Sequence, residues 1–241
     1  MDIALRALSA LLCYPTVDLQ MALPEIETAL ADHPALRPAL PGLRALARHL
    51  ATSDLLDAQE SYVGLFDRIR SLSLHLFEHV HGDSRERGPA MVELSGMYAL
   101  AGLEPTAHEL PDYLPMLLEY AAVAPEQGMA LLANAAPILD LLHGRLASRE
   151  SPYAAALQAV LLVAGKGPSQ AVMPEEPAET PESLDAAWEE AAVVFGPGAD
   201  PAAECGGDAL AAKLRAARRN PTPNPRRLVI RHLAAARSAS T

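Results

Sequence analysis

His75-Leu-Phe-Glu78-His79 fits H-x-x-E-H, the pattern in which two histidines hold zinc beside a catalytic glutamate. Residues four apart share a helical face, so the two imidazoles could bind one tetrahedral ion. A catalytic zinc also needs a third protein ligand and an open position for water. His108, Glu109, Glu119, His143 and Glu150 are available, but none stands at a diagnostic spacing. Three fixed positions recur by chance in a chain with eight histidines. A zinc metallopeptidase using His75, Glu78 and His79 is therefore the alternative reading, and the surrounding residues must decide it.

The chain offers helices to carry these groups. Its 241 residues are 50% hydrophobic and only 4% aromatic, with Ala and Leu dominant and β-branched residues sparse. Apolar residues recur at helical spacing in segments broken by Pro and Gly. This predicts an all-α, compact multi-helix bundle with helices near 2–13, 17–31 (broken at Pro24), 41–51, 54–67, 72–80, 85–101, 112–124, 126–148 and 152–164. Ser53 is expected to cap the fourth, and Asp83 with Glu86 the sixth, in the manner of a capping box. Met91, Leu94, Tyr98 and Ala101 form an apolar stripe that must face the core, with Gly102 as the stop. No strand alternation of any length is present.

Residues 1–165 read as the folded domain, 166–181 as a mobile Pro/Glu-rich linker, and 182–241 as a C-terminal helical segment with a flexible basic tail. In the tail, 226–235 is open to a final helix or to disorder. The net charge of −11 hides an asymmetry. Eight of the 19 basic residues follow Asp208, where there is no acid, so the body carries −19 and the tail +8. An acidic body repels nucleic acid and attracts basic partners. The tail lacks interleaved aromatics and any recognisable module, so no nucleic-acid partner is expected, and it reads as a solvated arm touching the acidic body. Cys13 and Cys205 form neither a disulfide framework nor a metal spacing, which suits reduced thiols. The N-terminus is a poor signal peptide and the longest uncharged runs are too short for a span, so a cytoplasmic protein is expected.

Three segments are more polar than a plain core demands. The first is Tyr62-Val-Gly-Leu-Phe66-Asp67 with Arg68 and Arg70. The second joins Phe77 to a dense run of His75, Glu78, His79, His81, Asp83, Arg85, Glu86 and Arg87. In the third, Glu109-Leu-Pro111-Asp112-Tyr113-Leu-Pro-Met-Leu-Leu-Glu119-Tyr120, Asp112 can cap the helix that starts there. Its apolar residues Leu114, Leu117 and Leu118 suit a core first, since apolar stripes usually pack internally, and also a groove that receives a basic amphipathic peptide. Periodicity leaves both open.

Across these motifs, SLHLFEHVHGDSRERGPAMVEL with ELPDYLPMLLEY, preceded by YVGLFDRIRS, the chain resembles the nitrate reductase molybdenum cofactor assembly chaperone family, the NarJ type of redox-enzyme maturation chaperone. The resemblance runs from LLCYP to about Glu150, and weakly again at LDAAWEE and at the Cys205 segment. It implies an all-helical chaperone without catalytic activity or cofactors of its own. Its partner would be the apo α subunit of respiratory nitrate reductase, bound chiefly at the N-terminus while molybdenum cofactor and iron–sulfur clusters are inserted, together with cofactor-delivery proteins. The chaperone leaves before the mature enzyme works. By the same resemblance Glu109, Pro111, Asp112 and Tyr113 form a peptide-binding loop. Tyr62, Phe66, Asp67, His75, Phe77, Glu78, His79, His81 and Glu119 are the neighbouring client-binding candidates. Tyr113 stands where relatives often carry His, which removes a titrating imidazole from that position.

Overall fold

The structure is a computed structural model and describes residues 2–82, 84–105, 109–167 and 226–228. Nine α-helices occur among them: α1 (Ile3–Leu11), α2 (Val17–Ala31), α3 (Leu40–Thr52), α4 (Leu55–Phe66), α5 (Leu76–Val80), α6 (Arg87–Leu100), α7 (Leu114–Val123), α8 (Pro125–Ser148) and α9 (Ala154–Val163). The all-α expectation holds. The expected linker and C-terminal segment lie outside the described residues except at 166–167 and 226–228, as does Asp83; α6 starts at Arg87 with Glu86 itself at the N-cap, so Glu86 is not at the third helical position the expected box requires. None of the helices among the described residues is long and apolar enough to cross a membrane.

Buried leucines and alanines make one core. α1 is enclosed through Leu5, Leu8 and Leu11 and packs on α2, α7 and α9. Asp2 starts it, its Oδ1 accepting from the backbone N–H of Ala4 at 2.9 Å and Leu5 at 3.3 Å. α7 is buried at every position from Leu114 to Ala122, so it runs through the interior and presents no solvent face before Val123. α8 crosses it where Gly128 meets the Ala121 backbone.

Several local expectations are corrected. Pro24 does not break α2, because Leu19, Leu23, Ile26 and Leu30 hold both halves of the helix to the core. Ser53 does not cap α4. It closes α3, its hydroxyl donating to the His49 carbonyl at 2.8 Å, and Asp54 caps α4 through the Leu56 N–H at 2.9 Å. The helix expected over 72–80 shrinks to α5, because 73–75 is extended after a short 3-10 turn at Arg70–Leu72. Gly102 does stop α6, with φ +73°, a conformation that a Cβ disfavours.

Residues expected to be without strands hold a small one. β1 (Leu103–Pro105) pairs in parallel with β2 (Arg226–Leu228), which replaces the start of the final helix considered over 226–235.

Candidate functional site

The second and third polar segments meet. His75 and Tyr113 form an antiparallel bridge, with the Leu76 N–H on the Asp112 carbonyl at 3.1 Å and the Leu114 N–H on the Leu74 carbonyl at 2.9 Å. This pairing carries the Asp112 side chain to the start of α5, not α7. Its Oδ2 accepts from the Phe77 N–H at 3.0 Å, and its Oδ1 lies 3.2 Å from His75 Nδ1. Asp112 thus caps a helix 35 residues earlier in the chain, at 1% exposure. Arg87 stands 4.0 Å from the same carboxylate and 3.5 Å from Glu78, and so adds a cation from α6. The Tyr98 hydroxyl holds the Pro111 carbonyl at 2.8 Å.

Behind this clamp lies an aromatic cluster. The Tyr62 hydroxyl donates to the Leu12 carbonyl at 2.8 Å, and the Tyr113 hydroxyl lies 2.8 Å from the Tyr62 oxygen. Phe66 and Tyr153 pack on Tyr62 with ring centroids 4.9 and 6.1 Å away. Tyr62, Phe66 and Tyr113 are all buried, which makes them supports that set the loop. Burial raises both tyrosine pKa values far above the ordinary range, so each remains a neutral hydroxyl. Tyr113→Phe keeps the ring and removes one buried hydroxyl. It should lower stability by about 1 kcal/mol in urea unfolding, with the m-value unchanged.

In front of the clamp is an apolar groove of about 270 Å³. α5 supplies Leu76, Phe77 and Val80, α6 supplies Leu94, and α7 supplies Leu117. α8 forms the far wall with Leu131, Asn134, Ala135 and Ile138, and Asp112 contributes the buried carboxylate. The volume falls below the roughly 300–1,000 Å³ usual for small-molecule pockets, while its apolar lining suits anchor side chains from a peptide helix. Of the individually named client-binding candidates only Phe77 and Asp112 line it, joined by Leu117, which the sequence left between core and groove. The α8 wall was missed because an apolar helix face reads the same whether it is covered or open. Asn134, a polar residue beside that face, is the one signal the sequence carried there.

The other candidates are placed around this centre. Asp67 is exposed at the end of α4, and Glu109 is exposed with its Oε2 3.9 Å from His75 Nε2. His81 packs edge-on to Phe77 at 5.3 Å. Glu119 does not line the groove. It faces α1, 7% exposed, with Arg6 Nε at 3.2 Å, and desolvation raises its pKa against the lowering effect of that guanidinium.

The zinc reading is not supported. His75 lies outside α5, at its N-cap, so the helical i, i+4 geometry never forms. Its ring goes to Asp112, while His79 Nε2 donates to the Ser73 carbonyl at 2.8 Å. No group of three His, Cys, Asp or Glu that could hold a metal is gathered among the described residues.

His75 has another property. Its hydrogen bond to Asp112 raises its pKa above the usual 6.5, against opposing desolvation. A group whose folded pKa is raised contributes stability fully below the unfolded value and loses it as pH rises through the folded value. The melting temperature should therefore decline on the alkaline side of pH 6.5, and His75→Gln should flatten that slope. Melting curves across this range would check it; equal slopes in the two proteins would contradict it.

With this geometry in place, comparison with known proteins identifies the class. Residues 29–159 match the family described as nitrate reductase delta subunit, more than half of the chain, and the chain belongs to that family. Several of its relatives are named as nitrate reductase molybdenum cofactor assembly chaperones. Over 200 residues the chain is 42% identical to the nitrate reductase molybdenum cofactor assembly chaperone NarJ of Escherichia coli K12, covering 80% of this chain and 85% of that one. It is 46% identical over 166 residues to the probable chaperone NarW of the same strain, covering 66% and 72%. Against the probable NarJ of Bacillus subtilis it is 30% identical over 163 residues, covering 66% and 87%.

Proposed function

We propose that this protein is the cytoplasmic, system-specific chaperone of a respiratory nitrate reductase. It binds the N-terminal segment of the apo α subunit in the groove between α5, α6, α7 and α8. The α subunit, not the chaperone, receives molybdenum cofactor and iron–sulfur clusters, and the chaperone departs before the mature enzyme works. The observation that carries the reading is an open apolar groove, backed by a rigid carboxylate clamp, in a chain of the assembly-chaperone family. An acidic body steers a basic amphipathic segment, and apolar burial then holds it. Folding of the client around its cofactor withdraws the segment and releases the chaperone.

Ile138, half-buried on the α8 wall, supplies the test. Ile138→Lys places a charge where an aliphatic anchor must dock, an expected loss of about 1.5–3 kcal/mol, or roughly 10- to 100-fold in affinity. Titration calorimetry with a synthetic peptide of the α-subunit N-terminus would measure it. Equal affinity in wild type and Ile138→Lys, at unchanged melting temperature, would remove the groove from the reading. Recovery of no molybdoenzyme subunit on co-purification from cells would count against the client itself.

A further inference from the structure

α6 turns an apolar face outward. Of its exposed positions only Glu93 is polar, and the rest are Gly, Pro, Ala, Val and Leu. Leu100, 91% exposed, and Val92, 73% exposed, are the two most exposed large hydrophobic residues among the described residues. They alternate with glycine along one row, Gly88, Val92, Gly96 and Leu100, each four positions from the next and so stacked on one side of the helix. A Cβ added at Gly88 or Gly96 meets nothing within 4 Å, so both glycines are open notches and not close contacts within the chain. Single exposed hydrophobic residues are ordinary, whereas a continuous apolar face marks an interaction surface.

We propose that this face joins two copies of the chain, α6 packing antiparallel on α6 about a two-fold axis near Leu94. A two-fold contact must be complementary to itself, and this row is. The axis sets each residue opposite the one equally far along the helix on the other side of Leu94. Val92 of one copy therefore enters the notch at Gly96 of the other, and Leu100 enters the notch at Gly88. Leu94 itself lies about 160° round the helix from Val92 and Gly96 at 3.6 residues per turn, on the groove side, so both grooves remain open to clients.

Charge selects the same occupant. A body of −19 repels its own copies, and a face with a single acid is where that repulsion is least. A basic segment finds little there to hold it. At either end of the pair, exposed Arg85 before one α6 comes to the end where the other copy carries exposed Glu104, with Glu86 as the opposing like charge. Antiparallel packing also brings opposite ends of the two helix dipoles together. Area sets the strength. The row from Gly88 to Leu100 spans about 18 Å at 1.5 Å per residue, so the helix pair buries less than the roughly 1,200 Å² at which stable complexes begin. The dimer is accordingly weak, with a dissociation constant of order 10–100 µM.

Sedimentation equilibrium of the full-length chain from about 5 to 500 µM should show a monomer–dimer equilibrium. It should strengthen between about 0.05 and 0.5 M NaCl, as screening relieves repulsion between the acidic bodies. Gly96→Leu fills the notch that Val92 of the other copy enters, and should raise the dissociation constant by about 10-fold or more. The melting temperature of the dilute variant should be unchanged or higher, because the added side chain meets open space within its own chain. Chains carrying Val92→Cys and Gly96→Cys, each with Cys205→Ser, should on mixing and oxidation give the mixed disulfide dimer in clear excess over its statistical share. Cys13 does not interfere, because burial pushes its thiol pKa up to about 12. A chain that stays monomeric at every concentration and salt overturns the proposal, as does a dimer that Gly96→Leu leaves intact. Statistical pairing of the two cysteines overturns the two-fold register. A dimer that weakens as salt rises is held by the basic tail on the acidic body instead, and removes α6 as the interface.

Discussion

Asp112→Ala should lower the stability of the helical domain by about 3 kcal/mol, with a fall of roughly 6–12 °C in melting temperature for a domain of this size. The substitution removes the acceptor of the Phe77 N–H and of His75 Nδ1, and leaves Arg87 without one of its two carboxylates. Hydrogen bonds to a buried carboxylate contribute more than neutral ones, and the Phe77 N–H then starts α5 without a cap. Asp112→Asn keeps acceptor capacity on one oxygen and should recover part of the loss. Urea unfolding of the three proteins would measure this, and a change under 1 kcal/mol in Asp112→Ala would show that the clamp holds little. The same result bears on client binding. Reduced affinity in Asp112→Ala reports the position of α5 unless it is measured well below the melting transition, which makes Ile138 the cleaner probe of contact.

The second large effect is at the crossing of α7 and α8. A Cβ added at Gly128 would overlap the backbone and Cβ of Ala121, so Gly128→Ala must push the helices apart. Overpacking costs about 1–3 kcal/mol in ordinary cores, and contact with backbone in place of a flexible side chain puts this case at the upper end or beyond it. On an exposed helix the same change would stabilise by about 1 kcal/mol, so the sign alone is diagnostic. Gly88 and Gly96 of α6 have open space around the added Cβ and provide that control. Separation of α7 from α8 would also widen the groove, since Leu117 and Leu131 stand on those two helices. Peptide affinity should fall even where the variant remains folded.

The nine helices were legible because each has an apolar periodicity and most have Pro or Gly at their ends, and both are local signals. What the sequence left undecided was the direction in which polar side chains turn. Asp112 after Pro111 has the chemistry of a cap, but only the pairing of His75 with Tyr113 selects α5 over α7. Ser53 and Asp54 are both competent caps one residue apart, and the backbone at Ser53 decides between them by ending α3 there. His75 and His79 share a helical spacing on paper, yet the chain is extended at His75. The groove was harder still. Leu117 faces it from a helix buried throughout, and Leu131, Ala135 and Ile138 face it from a helix whose Leu132, Leu139, Leu142 and Leu146 are core. The pattern of either helix is that of an ordinary interior element, and the opening exists only because α5 and α6 stop short of closing over α8.

The position of α1 has a consequence for synthesis on the ribosome. α2 is at hand early, but the partners on the other side come late: the Ser9 hydroxyl bonds the Pro115 carbonyl at 2.8 Å across 106 residues, and Arg6 reaches Glu119 across 113. At about 5–20 residues per second, Leu5, Leu8 and Leu11 wait roughly 5–20 s for α7 to be translated. A nascent chain of this protein therefore leaves the α7-facing side of an apolar helix uncovered for roughly half of its own synthesis.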